Sequence, residues 1–427
     1  MIIAYSCWKP ALCLLSATAT RTRRASQPPT RRRTTELNMA APVSIGQRLD
    51  SLKGFGPGFD FMRIALAMGV LISHAGNLAI GDGLKQTPFW FVEFSILPMF
   101  FALSGFLVTA SAMRLNLRDF LIHRGVRIVP ALFVEISLSA LILGPLLTTV
   151  PLREYFSDPM FFSYFLNIFG IIQYHLPGVF TENNVAQYVG VVNRSLWTIP
   201  HEIFCYVVIS LAIYWNVFNN RRAGALFFAT IGVIYVALSF LRWLPLEPAT
   251  VKAVTDFGDQ VRALLPFFIL GCGLYLLRYR IPFDYRIFLV CAVFYVAVAF
   301  LGNSGLVNKF GMRPVTSIVF TYMVVFLGLA SLPRLPFYSK GDYSYGIYLY
   351  GFPLQQTIMQ LFPAAKNMWI FVPASIVAAT AVAVFSWHVI EKPALRLRKS
   401  LSLTERGHTR RVKDPAMPKP VEVAADS

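Results

Sequence analysis

Between residues 60 and 389 the chain returns ten times to an apolar run about long enough to cross a lipid bilayer. The runs are 60–80, 89–111, 128–149, 196–216, 223–241, 261–277, 284–302, 314–332, 343–362 and 368–389. With 56% hydrophobic and 14% charged residues over a length of 427, a soluble fold has too little polar surface; soluble domains carry about a quarter charged residues. Lipid must therefore replace part of the core. The expectation is an all-α integral membrane protein of about ten transmembrane helices.

The net charge of +18 suggests nucleic acid until its distribution is examined. Residues 1–60 and 391–427 each carry nine Lys or Arg, and most of the others sit in short clusters between apolar runs. Basic residues gather on the cytoplasmic side of membrane proteins. With the N-terminus inside, inner connections hold Arg114, Arg118, Arg124 and Arg127; Arg221 and Arg222; Arg278, Arg280 and Arg286; and Arg334 with Lys340. Outer connections hold single charges such as Lys85, Arg153 and Lys366. Both termini are thus expected in the cytoplasm, and nucleic acid is not an expected partner. The five cysteines form no CxxC pair, so neither a disulfide framework nor a metal site is expected.

Three segments are expected. Residues 1–58 read as a basic, disordered tail, or else as a start-site artefact with the true start at Met39, since six arginines follow the apolar stretch near Cys13 instead of preceding it. Residues 59–393 form the membrane domain, and 394–427 a basic cytoplasmic tail. The connection 151–195 is long and aromatic and is expected to lie against the outer surface, with room for a re-entrant piece.

An ionisable residue inside an apolar run is costly and therefore a functional candidate. Arg63 and His74 share the first run; eleven residues leave them about 20° apart around a helix and about 16 Å apart along it. Arg63 is equally readable as a snorkelling side chain. A neutral imidazole at His74 suits a general base acting on a hydroxyl. Arg124 and Arg127, three apart, share a face and suit phosphate, although an inner connection is basic in any case. Asn193 to Glu202 stands at the outer entry to the fourth run, where Pro200 is expected to free a carbonyl beside a wet cavity. There Glu202 is expected to orient or charge-stabilise a histidine, or to position an acceptor hydroxyl. Trp197 would stack on a sugar or anchor at the interface.

These residues carry a resemblance. In order along 59–393 come Arg63 with His74, Phe100-Phe101-Ala102-Leu103-Ser104-Gly105-Phe106, and Arg124-Gly125-Val126-Arg127 with Pro130. Leu176-Pro177-Gly178-Val179-Phe180, Ser195-Leu196-Trp197-Thr198 with Glu202, Tyr343-Ser344-Tyr345-Gly346-Ile347-Tyr348-Leu349, and Glu391-Lys392-Pro393 follow. The chain resembles the acyltransferase 3 family, membrane-bound O-acyltransferases of bacterial glycans. The resemblance implies a multi-pass protein of the bacterial inner (cytoplasmic) membrane. It implies an acyl-CoA co-substrate, most often acetyl-CoA, no permanently bound cofactor, and a glycan or glycolipid acceptor. His74 and Glu202 would be catalytic, and Arg63, Arg124 and Arg127 would bind the donor. Ser104, Trp197 and Tyr345 would serve the acceptor or the motif framework. Where many members carry a histidine after the Tyr-Leu segment, this chain has Tyr350-Gly351. A fused extracytoplasmic hydrolase-like domain, present in some members, is not expected here. The competing expectation is a transporter or flippase for a glycan or lipid precursor, since buried charges also line permeation paths.

Overall fold

The structure is a computed structural model that describes residues 43–81, 87–181, 188–218, 222–223, 226–227, 230–231, 263–301, 313–333, 338, 341–362 and 367–401. In chain order its helices are α1 (Ile45–Ser51), α2 (Phe59–Ile80), α3 (Phe89–Ala112), α4 (Leu117–Leu138), α5 (Leu152–Ser157) and α6 (Pro159–Tyr164). Then come α7 (Ile199–Tyr214), α8 (Ala263–Leu276), α9 (Tyr285–Leu301), α10 (Arg313–Leu329), α11 (Ser344–Leu361), α12 (Met368–Ser386) and α13 (Lys392–Leu401). Wider π turns at Ser139–Leu143 and Trp387–Glu391 carry α4 on to Leu147 and join α12 to α13. A 3₁₀ turn, Arg194–Thr198, leads into α7.

Among the described residues five helices are long and apolar enough to cross a membrane: Phe59–Ile80, Phe89–Ala112, Leu117–Leu147, Arg194–Tyr214 and Met368–Arg398. Every expected run except 223–241 coincides with a helix, and that one lies almost wholly outside the described residues. So do the tails 1–42 and 402–427, together with Lys85, Arg221, Arg334, Lys340 and Lys366.

Three boundaries differ from the sequence expectation. The third helix begins at Leu117, not near 128, because Asn116 caps it through its side chain onto the Asp119 N–H at 2.8 Å. Arg118, Arg124 and Arg127 therefore ride on helix and not in a connection. Pro200 falls in the first turn of α7, where a missing N–H costs nothing, so it frees no carbonyl. Residues 43–58 are folded: a Ser44–Gln47 capping box starts α1, and the Ile45 and Gly46 N–H groups donate to Ile281 and Arg278 carbonyls.

The core is built on α11, which packs against α12 and α2, while α3 packs against α2 and α10. Close approach depends on small residues. A Cβ on Gly105 of α3 would collide with the Phe268 carbonyl, and one on Gly271 of α8 with the Ala102 carbonyl, so the two backbones touch there. Among its described residues, the connection after α4 contributes packing and no helix long and apolar enough to span. Its Tyr155 and Tyr164 are fully buried, and the Tyr155 hydroxyl donates to the Ala140 carbonyl inside the π turn at 2.7 Å.

Candidate active site

The three expected arginines come to one end of the bundle. Arg63, on α2, is 3% exposed and bonds the exposed Asp60 at 2.8 Å; it lies within electrostatic reach of Arg124, Arg127 and Asp342. Arg127, on α4, is 2% exposed, with Nη1 donating to Glu391 at 2.8 Å and Nη2 to Asp342 at 3.1 Å. Its guanidinium also sits over the rings of Tyr345 and Trp387. Asp342 precedes α11 and Glu391 ends the turn after α12, so the starts of α2, α4 and α11 and the end of α12 share this end.

Arg124 is buried too, but aromatic rings hold it: its guanidinium lies 5.4 Å from the Phe120 ring centre and 5.6 Å from that of Tyr206. Charges that merely anchored a helix at the lipid surface would be exposed, and both of these are enclosed. A phosphate reaching Arg127 would have to compete with two carboxylates. At Arg124 it would displace weaker cation–π contacts, each worth about 0.5–2 kcal/mol.

Beside Arg124, the Tyr206 hydroxyl donates to Glu202 Oε1 at 2.5 Å. Glu202 therefore reaches the interior near the arginines rather than the far rim of its helix. It lines a cavity of about 60 Å³ whose walls include Ser104 and Phe100 of α3, Thr198 before α7, Cys205 of α7, and Tyr345 and Tyr348 of α11. That space is room for roughly four waters. The Tyr345 hydroxyl donates to the Ile128 carbonyl and that of Tyr350 to Ala131, so α11 fastens onto α4 on both sides of Pro130. Tyr350 thus ties helix to helix, and Gly351, the next residue, faces Leu71 of α2 closely.

His74 lies in the opposite half of α2 from Arg63 and does not line this cavity. Its ring meets Phe352 of α11 edge-on at 5.1 Å, and the Arg194 charge acts on it. His74 thus faces α11, while Arg63 bonds Asp60 of its own helix and lies within electrostatic reach of Asp342, just before α11. Phe100 connects the two zones, since it walls the cavity beside Tyr348 and packs against the core cluster that α2, α11 and α12 share. Trp197 is half-buried against His201 and stands outside the cavity.

Two acidic residues of this framework, Glu135 and Asp342, were not singled out from sequence, and Glu391 entered only through the Glu391-Lys392-Pro393 motif, with no role attached. Glu135 is 1% exposed on α4 and accepts from Asn193 Nδ2 at 2.8 Å and from Ser139 at 3.0 Å, while its Oε2 has no partner. A Glu in the run Phe-Val-Glu-Ile is a signal by the same rule that selected His74. Asp342 and Glu391 bear on Arg127, and no local pattern links positions so far apart. Among the described residues no group of three His, Cys, Asp or Glu is arranged to hold a metal ion.

An acyltransferase domain profile matches residues 57–388. Nodulation protein 10 of Rhizobium leguminosarum bv. viciae is 29% identical over 382 residues, covering 84% of this chain and 98% of that protein. An O-acetyl transferase of Shigella phage Sf6 is 26% identical over 352 residues, covering 81% of this chain and 98% of its own length. No solved structure shows a significant match. The ordered motifs and the profile covering most of the chain agree: it belongs to the acyltransferase 3 family and is an O-acyltransferase.

Proposed function

We propose that the protein moves an acyl group, acetyl in the simplest case, from cytoplasmic acyl-CoA to a hydroxyl of an extracytoplasmic or lipid-linked glycan. Its place would be the bacterial inner membrane. The observation that carries this reading is the separation along α2: buried arginines at one end, His74 in the other half, and a cavity beside the arginine end. Arg124 and Arg63 hold CoA phosphates. Arg127, clamped by Asp342 and Glu391, keeps the mouth in shape and adds its charge to theirs. The pantetheine arm enters past Ser104, Glu202 and Tyr345 and displaces Phe100 toward His74. The 60 Å³ present in this conformation must open for it.

His74 accepts the proton of the acceptor hydroxyl as its oxygen attacks the thioester carbonyl. The C–S bond then breaks, the sulfur leaves as CoA, and the proton passes from His74 to the thiolate. Attack on the thioester by the imidazole itself, followed by transfer to the hydroxyl, balances equally well, and only the first case lacks a covalent acyl-enzyme.

Mass spectrometry of surface glycans with and without the gene tests the activity, and loss of an acyl increment is the expected result. Purified His74→Ala that still acylates that glycan would remove the base role.

A further inference from the structure

We propose that Gln355 and Asn77 form the acceptor subsite beside His74, holding hydroxyls of the glycan adjacent to the one being acylated. This rests on the reading of His74 above. The Gln355 side chain is fully buried on α11, three residues after the Phe352 that touches the His74 ring. Its Nε2 donates to the Leu71 carbonyl at 2.7 Å, one turn before His74, which fixes the amide and turns Oε1 away. Asn77 is 4% exposed and lies one turn after His74, so the two Cβ atoms are about 5–6 Å apart. Its Nδ2 donates to Glu93 of α3 at 2.7 Å, which fixes that amide in the same sense.

Both carbonyl oxygens, Gln355 Oε1 and Asn77 Oδ1, are buried without a hydrogen-bond partner. Two such groups, one on α11 bonded to the carbonyl a turn before the histidine and one on α2 a turn after it, are costly unless something donates to them. What they lack is O–H donors, and a sugar ring offers these on neighbouring carbons. A carrier of a single isolated hydroxyl would satisfy neither. The chemistry therefore points to a polyhydroxylated acceptor, held on both sides of its reacting oxygen, with specificity set by which hydroxyls meet the two amides.

The test uses full-length protein in lipid nanodiscs, acetyl-CoA as donor, and as acceptor the unacylated surface glycan extracted from a strain lacking the gene. Gln355→Met and Asn77→Leu keep size and remove the whole amide, the free oxygen together with the N–H donor to Leu71 or Glu93. Each is expected to raise KM for the glycan about tenfold, the loss of one neutral hydrogen bond, while KM for acetyl-CoA stays within twofold. An unchanged glycan KM in both variants overturns the proposal, since water alone then occupies the two oxygens. An equal rise in both KM values also overturns it, because that marks general loosening of α2 on α11. His74→Ala is run alongside: if it acylates normally the base reading fails, whereas a dead His74→Ala with normal glycan KM in the amide variants sinks only the subsite.

Discussion

Removing the Glu391 carboxylate tests whether Arg127 serves the frame or the donor. In the native protein this arginine divides its two Nη groups between Glu391 and Asp342, and both Arg127 and Glu391 are 2% exposed by side chain. Glu391→Ala leaves Arg127 with Asp342 alone, which is 13% exposed, and opens a hole beside it. Breaking one partner of a buried pair costs about 3–5 kcal/mol, because the remaining charge is stranded. For a domain of about 330 residues the unfolding entropy is roughly 0.7 kcal/mol per degree, so the melting temperature should fall by about 4–7 °C. The assay is thermal unfolding of the detergent-solubilised protein followed by size-exclusion fluorescence. The double variant Arg127→Met with Glu391→Met removes both charges and should regain most of the loss, since apolar replacement of a whole buried pair is often neutral or better. A single variant as stable as wild type refutes the frame assignment. So does a double variant less stable than Glu391→Ala. Acetyl-CoA affinity measured on the same proteins completes the test: a frame residue lowers stability first, whereas a phosphate ligand would lower affinity at unchanged stability.

Arg124→Ala should raise KM for acetyl-CoA about tenfold or more, the loss of one charge-assisted hydrogen bond, with folding retained; an unchanged KM would return Arg124 to a packing role. His74→Ala should lower glycan transfer by about 10²–10⁴-fold with normal membrane insertion, read by mass spectrometry of the product. Phe100→Ala removes the ring between cavity and α2, so butyryl-CoA should gain on acetyl-CoA as donor; an unaltered preference in competition assays would place the acyl path elsewhere. Asn193→Ala should destabilise by about 1–3 kcal/mol, because Glu135 loses its 2.8 Å donor and the Arg194–Thr198 turn loses its cap; thermal unfolding would show it.

The helices were legible because lipid imposes length and apolarity on each run separately, and both can be read from a window of twenty residues. Arg63 and His74 were legible for a related reason: an ionisable residue inside an apolar run is visible without any tertiary information. The split between Arg124 and Arg127 was not. Two arginines three apart are equivalent in sequence until Asp342 and Glu391 arrive from segments much later in the chain and claim one of them. Glu202 was expected at the far rim because its helix begins there in sequence, but the preceding 3₁₀ turn belongs to the same apolar helix and carries it a further turn inward. Gln355 and Asn77 gave no signal at all, since an amide in an apolar run is unremarkable until its oxygen is seen to lack a donor.

The bond between Arg127 and Glu391 also sets an order of events during synthesis, because its two ends are 264 residues apart. At the usual 5–20 residues per second, Glu391 follows Arg127 out of the ribosome by roughly 13–50 seconds. Through that interval the third helix holds an arginine whose final partner does not yet exist. A charge without its buried partner is costly in an apolar environment, so a snorkelling position with the head group in water is the cheaper one until the end of α12 arrives. The arginine end of the bundle is therefore completed last, after the other helices that frame it have been made.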